Sequence, residues 1–91
     1  MAEKPWRVEL APGVLQELSR IRQQEPRGNE AVDAWLRYVE RSPESGFAVP
    51  RMKGVLSRPF HTEVAAYLMI YEIDRDVVRC IGIRPVPYGA F

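Results

Sequence analysis

The sequence predicts an α+β fold: an N-terminal strand and an α-helical hairpin, then three to four antiparallel strands, with the helices packed on one face of the sheet. The periodicity predicts this order. Apolar residues alternate at period two near the start, recur at helical spacing through two central segments, and return to period two after Pro59. A chain of 91 residues that is 46% hydrophobic supports one core, so residues 1–91 are expected to form a single domain.

Trp6, Val8 and Leu10 alternate with Arg7 and Glu9, the pattern of a half-buried strand, and Pro12 with Gly13 ends it. Val14, Leu15, Leu18 and Ile21 then share one helical face while Glu17, Arg20 and Gln24 look outward, and Pro12 suits the first helical turn. "EPRGN" breaks this helix. Asn29 is the expected N-cap of a second, whose apolar face is Val32, Trp35, Leu36 and Val39. Pro43 stops it. "SPESGFAVP" reads as turn chemistry before a short strand, "RMKGVL", cut by Gly54.

From Phe60 the expected strand places Phe60, Thr62 and Val64 on one face and His61, Glu63 and Ala65 on the other. Tyr67, Met69, Tyr71 and Ile73 alternate with Leu68, Ile70 and Glu72, and the tyrosine stripe is expected to point at the helices. "DRD" turns the chain into a last strand over residues 77–83, followed by a proline-containing tail ending at Phe91.

Composition narrows the function. Thirteen basic against 12 acidic residues leave no global field toward nucleic acid or membrane, although 11 of the 13 are Arg, whose planar fork suits phosphate. Arg20, Arg22, Arg27, Arg37 and Arg41 are expected on solvated outer helical faces. One His and one Cys assemble no zinc-type site, and there is no glycine-rich phosphate loop, so no cofactor is expected. Cys80, inside an apolar run, reads as a buried thiol. No apolar run is long enough to span a membrane and "MAEKPW" lacks a signal core, which makes a cytoplasmic protein the expectation.

The segments "LAP", "MKG", "AYLMIYEID" and "VVRCIGIR" with the late Tyr88, in this order across nearly the whole chain, resemble the RelE/ParE family of bacterial type II toxins. The resemblance implies a toxin held inactive by a cognate antitoxin. RelE-type members cleave mRNA in the ribosome, whereas ParE-type members poison DNA gyrase without cleaving RNA. The fold does not choose between them. By position, Arg84 matches the family's basic residue at the end of the last strand, Tyr88 its C-terminal tyrosine, and Lys53 the basic residue before the glycine. Arg51 and Arg58 beside it are expected to contact RNA. His61 and Glu63 stand where the family carries two basic groups, and Leu68 where it carries an arginine. The implied function is a ribosome-dependent mRNA endonuclease. The alternatives are a gyrase inhibitor, or a decayed toxin that keeps only antitoxin binding.

Cleavage by 2'-hydroxyl attack needs a base, an acid and positive charge at the phosphate. His61 and Glu63 are the candidate acid and base, Arg84 the electrostatic group and Tyr88 a stacking or hydrogen-bonding group. The bland reading of His61 and Glu63 is a solvated strand face, with contacts worth about 0.2–1 kcal/mol.

Overall fold

Pro12 opens α1 (Pro12–Gln24), where its missing N–H satisfies nothing in a helix anyway, and Pro26 forces Glu25 out of the helical region to φ −100°, ψ 140°. The computed structural model describes residues 6–86. α2 (Gly28–Arg41) starts from Arg27, held in the left-handed region at φ 54°, so Asn29 lies inside the helix rather than capping it. Gly28 is what allows this. A Cβ there would collide with the carbonyl of Ile21, so the two helices make their close approach through a bare backbone. Arg22 adds a tie between them, reaching Asp33 at 2.8 Å and Asn29 at 3.1 Å.

The strands are β1 (Arg7–Leu10), β2 (Phe47–Ala48), β3 (Val55–His61), β4 (Ala66–Asp74) and β5 (Val77–Val86), in the spatial order β1-β5-β4-β3-β2. The α+β expectation holds in this form: two helices and a five-stranded sheet. The sheet is mixed rather than antiparallel throughout, because β1 runs parallel to β5. Two boundaries also differ from expectation. Residues 51–54 are a turn, not strand: Arg51 and Gly54 both take positive φ, and Met52 and Val55 donate N–H bonds back to Val49 and Met52. The expected strand through Glu63 ends at His61, because the Thr62 hydroxyl captures the N–H groups of Val64 and Ala65 and bends the chain.

Helical and strand periods meet in one core. Val14, Leu18 and Ile21 of α1 and Val32, Trp35 and Val39 of α2 pack on Phe60, Tyr67, Met69, Tyr71, Val78 and Cys80. Leu15, assigned to the same face by spacing, is 54% exposed, beyond the edge of the stripe. Trp35 centres the cluster, 6.1 Å from the Phe60 ring and edge-on to Tyr71 at 6.3 Å. The Tyr71 hydroxyl donates to the Pro43 carbonyl at 2.6 Å, and burial pushes its pKa up to about 12. These helices cover one face of the sheet; among the described residues no helix packs on the other, where Phe47, His61 and Arg84 are exposed although Val55 and Val77 are buried.

Strict alternation along β5 would carry Val78, Cys80, Gly82 and Arg84 to the same side. It does not. Tyr71 pairs with Cys80 but Ile70 pairs with Gly82, so Ile81 is an extra residue and parity switches at that point. Ile83 then joins the core while Arg84 lies opposite Leu68 on the uncovered face.

Two outcomes are expected. Gly28→Ala is destabilised by about 1–3 kcal/mol in urea unfolding, whereas Gly13→Ala, with open space around its added carbon, is neutral or more stable by about 0.5 kcal/mol. The Cys80 thiol, fully buried with its pKa pushed up to about 12 by that burial, does not react with a disulfide reagent at pH 8 until the protein is unfolded.

Candidate functional site

Because directly paired residues of an antiparallel ladder share a face, the register sorts the candidate residues without ambiguity. One row of the uncovered face is Pro59–Leu68–Arg84 and the next is His61–Ala66–Val86. Arg84 and His61 therefore lie on the same face, two strands and one two-residue step apart, about 12 Å between α-carbons from strand geometry. Both are exposed. Arg84 is the one arginine of this face without a carboxylate partner among the described residues, since Arg7 reaches Glu9 at 3.8 Å and Arg79 is held by Glu9, Glu72 and Asp74.

Glu63 is not on the strand with His61. It sits in the turn after β3, where its carboxylate accepts from Arg27 at 3.3 Å, and Arg27 also holds Glu30. The two residues still approach one another: His61, Glu63, Arg27, Glu30, Ala31 and Thr62 line an open cleft of about 370 Å³ at the rim of the sheet. Its charges come from the start of α2 as much as from the strand.

The other expected RNA contacts are dispersed. Arg58 pairs with Met69, which turns it toward the helices, and its guanidinium lies 3.8 Å from the centre of the Tyr38 ring. Lys53 and Arg51 border a second open cleft of about 450 Å³ at the β2–β3 turn, at the opposite end of β3 from His61. Tyr88 lies outside the described residues, as does Phe91.

The densest polar cluster was not visible in the sequence. Glu25, whose side chain is 8% exposed, accepts hydrogen bonds from the Thr62 hydroxyl at 2.5 Å and from the Tyr67 hydroxyl, and it pairs with Arg20 at 3.3 Å. Arg20 also bonds Glu17 at 2.6 Å and the Tyr67 oxygen at 2.9 Å, so it is no solvated outer-face residue. Burial works to raise the Glu25 pKa, but the Thr62 and Tyr67 hydrogen bonds and the Arg20 charge outweigh it and hold the carboxyl below its usual range. Tyr67 is pushed the other way, first by burial and then by its bond to Glu25. Only Pro26, fixing where α1 ends, hinted at this position; nothing in the spacing links Glu25 to Tyr67, 42 residues on.

Chemically, the cluster ties α1 to the β3–β4 turn. The sheet face opposite the helices offers an exposed guanidinium for an anion and an imidazole on the neighbouring row. No group of three or more His, Cys, Asp or Glu side chains among the described residues is placed to hold a metal ion, and no described helix is long and apolar enough to cross a membrane.

The Glu25 carboxylate, with its folded pKa lowered, stabilises the protein fully above its unfolded pKa, and this contribution is lost as pH falls through the folded value. Glu25→Gln is expected to cost about 1–3 kcal/mol at pH 7 and progressively less below pH 4, measured as urea midpoints against pH. Equal costs at pH 7 and pH 3 would contradict a charged anchor. Comparison of the chain with known protein families, with curated proteins and with solved structures gives no match.

Proposed function

We propose that this protein is a RelE/ParE-type toxin, neutralised by a separate antitoxin in the bacterial cytoplasm, that cuts mRNA on the ribosome. The observation that supports it is the open sheet face: among the described residues, a strand, a helical hairpin and four further strands leave open the face that carries Arg84, which has no carboxylate partner there, with His61 nearby. That arrangement agrees with the RelE/ParE resemblance of the sequence. In the proposed reaction the RNA 2'-hydroxyl attacks the adjacent phosphorus, the 5' oxygen leaves, and a 2',3'-cyclic phosphate forms. Arg84 neutralises charge building on the phosphate oxygens, and His61 moves a proton to or from the reacting oxygens. Glu63 is the second acid–base candidate, acting once the substrate displaces it from Arg27, and Tyr88 supplies the stacking or hydrogen-bonding group.

A second reading, gyrase inhibition without RNA cleavage, is favoured by one observation. Leu68, directly opposite Arg84, puts an apolar side chain where a ribonuclease of this kind gains a second phosphate contact.

Ribosomes programmed with a defined mRNA, incubated with the purified protein and mapped by primer extension, separate the two. The expected result is an A-site cut that falls by about 100-fold or more in Arg84→Ala. A folded, toxic protein that makes no cut and induces the DNA-damage response would instead be a gyrase poison.

A further inference from the structure

Phe47 is the most exposed of the large hydrophobic side chains among the described residues, at 65%. It belongs to a two-residue edge strand and pairs with Ser57, in a row that continues through Ile70 to Gly82. The phenyl ring is therefore on the same uncovered face as Arg84, and its neighbours along the row include a serine and a glycine. No carbon is present at Gly82 to fill the space above Ile70. The result is a flat shelf with an aromatic ring at its border. A ring so placed contributes little to the core, yet it stays in water where a polar residue would serve the edge strand as well.

Charge divides the face. The rows running from Phe47 to His61 carry no carboxylate, while the next row toward the β4–β5 turn carries Glu72 and Glu9, followed by Asp74. Beyond His61, Glu63 is engaged by Arg27. Those carboxylates are paired with Arg79 and Arg7, so an anionic chain meets a cluster of occupied ion pairs on one half of the face and no carboxylate on the other, where its path must cross the strands. Phe47 on β2 and Arg84 on β5 are three strand spacings and one two-residue step apart, about 16 Å between α-carbons. That span suits a few nucleotides of extended single strand.

We infer that Phe47 is a base-stacking platform for single-stranded RNA, with Arg84 holding the phosphate chain on the other side of the same acid-free patch. The inference rests on the nucleic-acid reading above and adds a residue that the resemblance does not supply. A flat π face next to an unpaired guanidinium is how sheet surfaces hold single strands: stacking fixes the base without reading its edge, and the cation fixes the backbone. An acidic peptide would also use the guanidinium, but any apolar side chain of similar size would satisfy it at position 47.

The test measures binding of a fluorescently labelled 2'-O-methyl RNA oligomer, which resists cleavage by 2'-hydroxyl attack, to the full chain by anisotropy. Phe47→Leu is expected to weaken binding by about tenfold to a hundredfold with an unchanged urea midpoint. Phe47→Trp keeps the affinity, and Arg84→Ala lowers the slope of log affinity against log salt by about one. Equal affinity of wild type and Phe47→Leu overturns the inference while leaving the ribosomal reaction standing. Failure of the wild type to bind the oligomer also overturns it, whether or not programmed mRNA is cut, so the two failures are read separately.

Discussion

The carboxylate of Glu25 is where the helical layer and the sheet are joined by something more directional than packing. It takes hydroxyl hydrogens from Thr62 and Tyr67 while facing Arg20. One group thereby ties the end of α1, which Pro26 fixes, to the turn that the Thr62 hydroxyl shapes and to the start of β4. Desolvating a carboxylate is expensive, and the arrangement is tolerable only because its lone pairs are occupied by partners in a low-dielectric setting. The cleft that brings His61 and Glu63 together is built on the same turn, so its geometry is inherited from this anchor.

What the sequence made legible is what local periodicity controls. The helical stripes of α1 and α2, the inward tyrosines of β4, the burial of Trp35 and Cys80 and the order of the elements all follow from spacing. What escaped depends on events that spacing does not encode. Thr62 satisfies an alternating pattern and a turn equally well, and only its hydroxyl bonding to the next N–H groups decides between them. Parallel pairing of β1 with β5 is a contact between the start and the end of the chain. Arg58, expected among the RNA contacts, is two residues from the buried Phe60, a separation that puts it on the helical side, where the Tyr38 ring receives it.

The candidate site divides accordingly. A resemblance transfers positions, and the positions of Arg84 and His61 do converge on one face. Partners are not transferred with them: Glu63 comes with the arginine that precedes α2, and Lys53 and Arg51 come with a turn at the far end of β3. A scaffold of this kind presents an open sheet face, and the chemistry on it is a matter of which few side chains the strands place there.

The extra residue at Ile81 gives β5 an unusual genetic property. Substitution at a half-exposed bulge position is ordinarily mild, because the backbone detour survives a change of side chain. Straightening the strand at its present length would not be mild. If Ile81 entered the ladder, every residue after it would exchange faces: Arg84 would oppose Tyr67 on the helical side and the apolar Ile83 would turn to water. Loss of the codon, by contrast, leaves Gly82 opposite Ile70 and Arg84 opposite Leu68, so the cation keeps its place on the open face whether residue 81 bulges or is absent, and loses it only when that residue is paired.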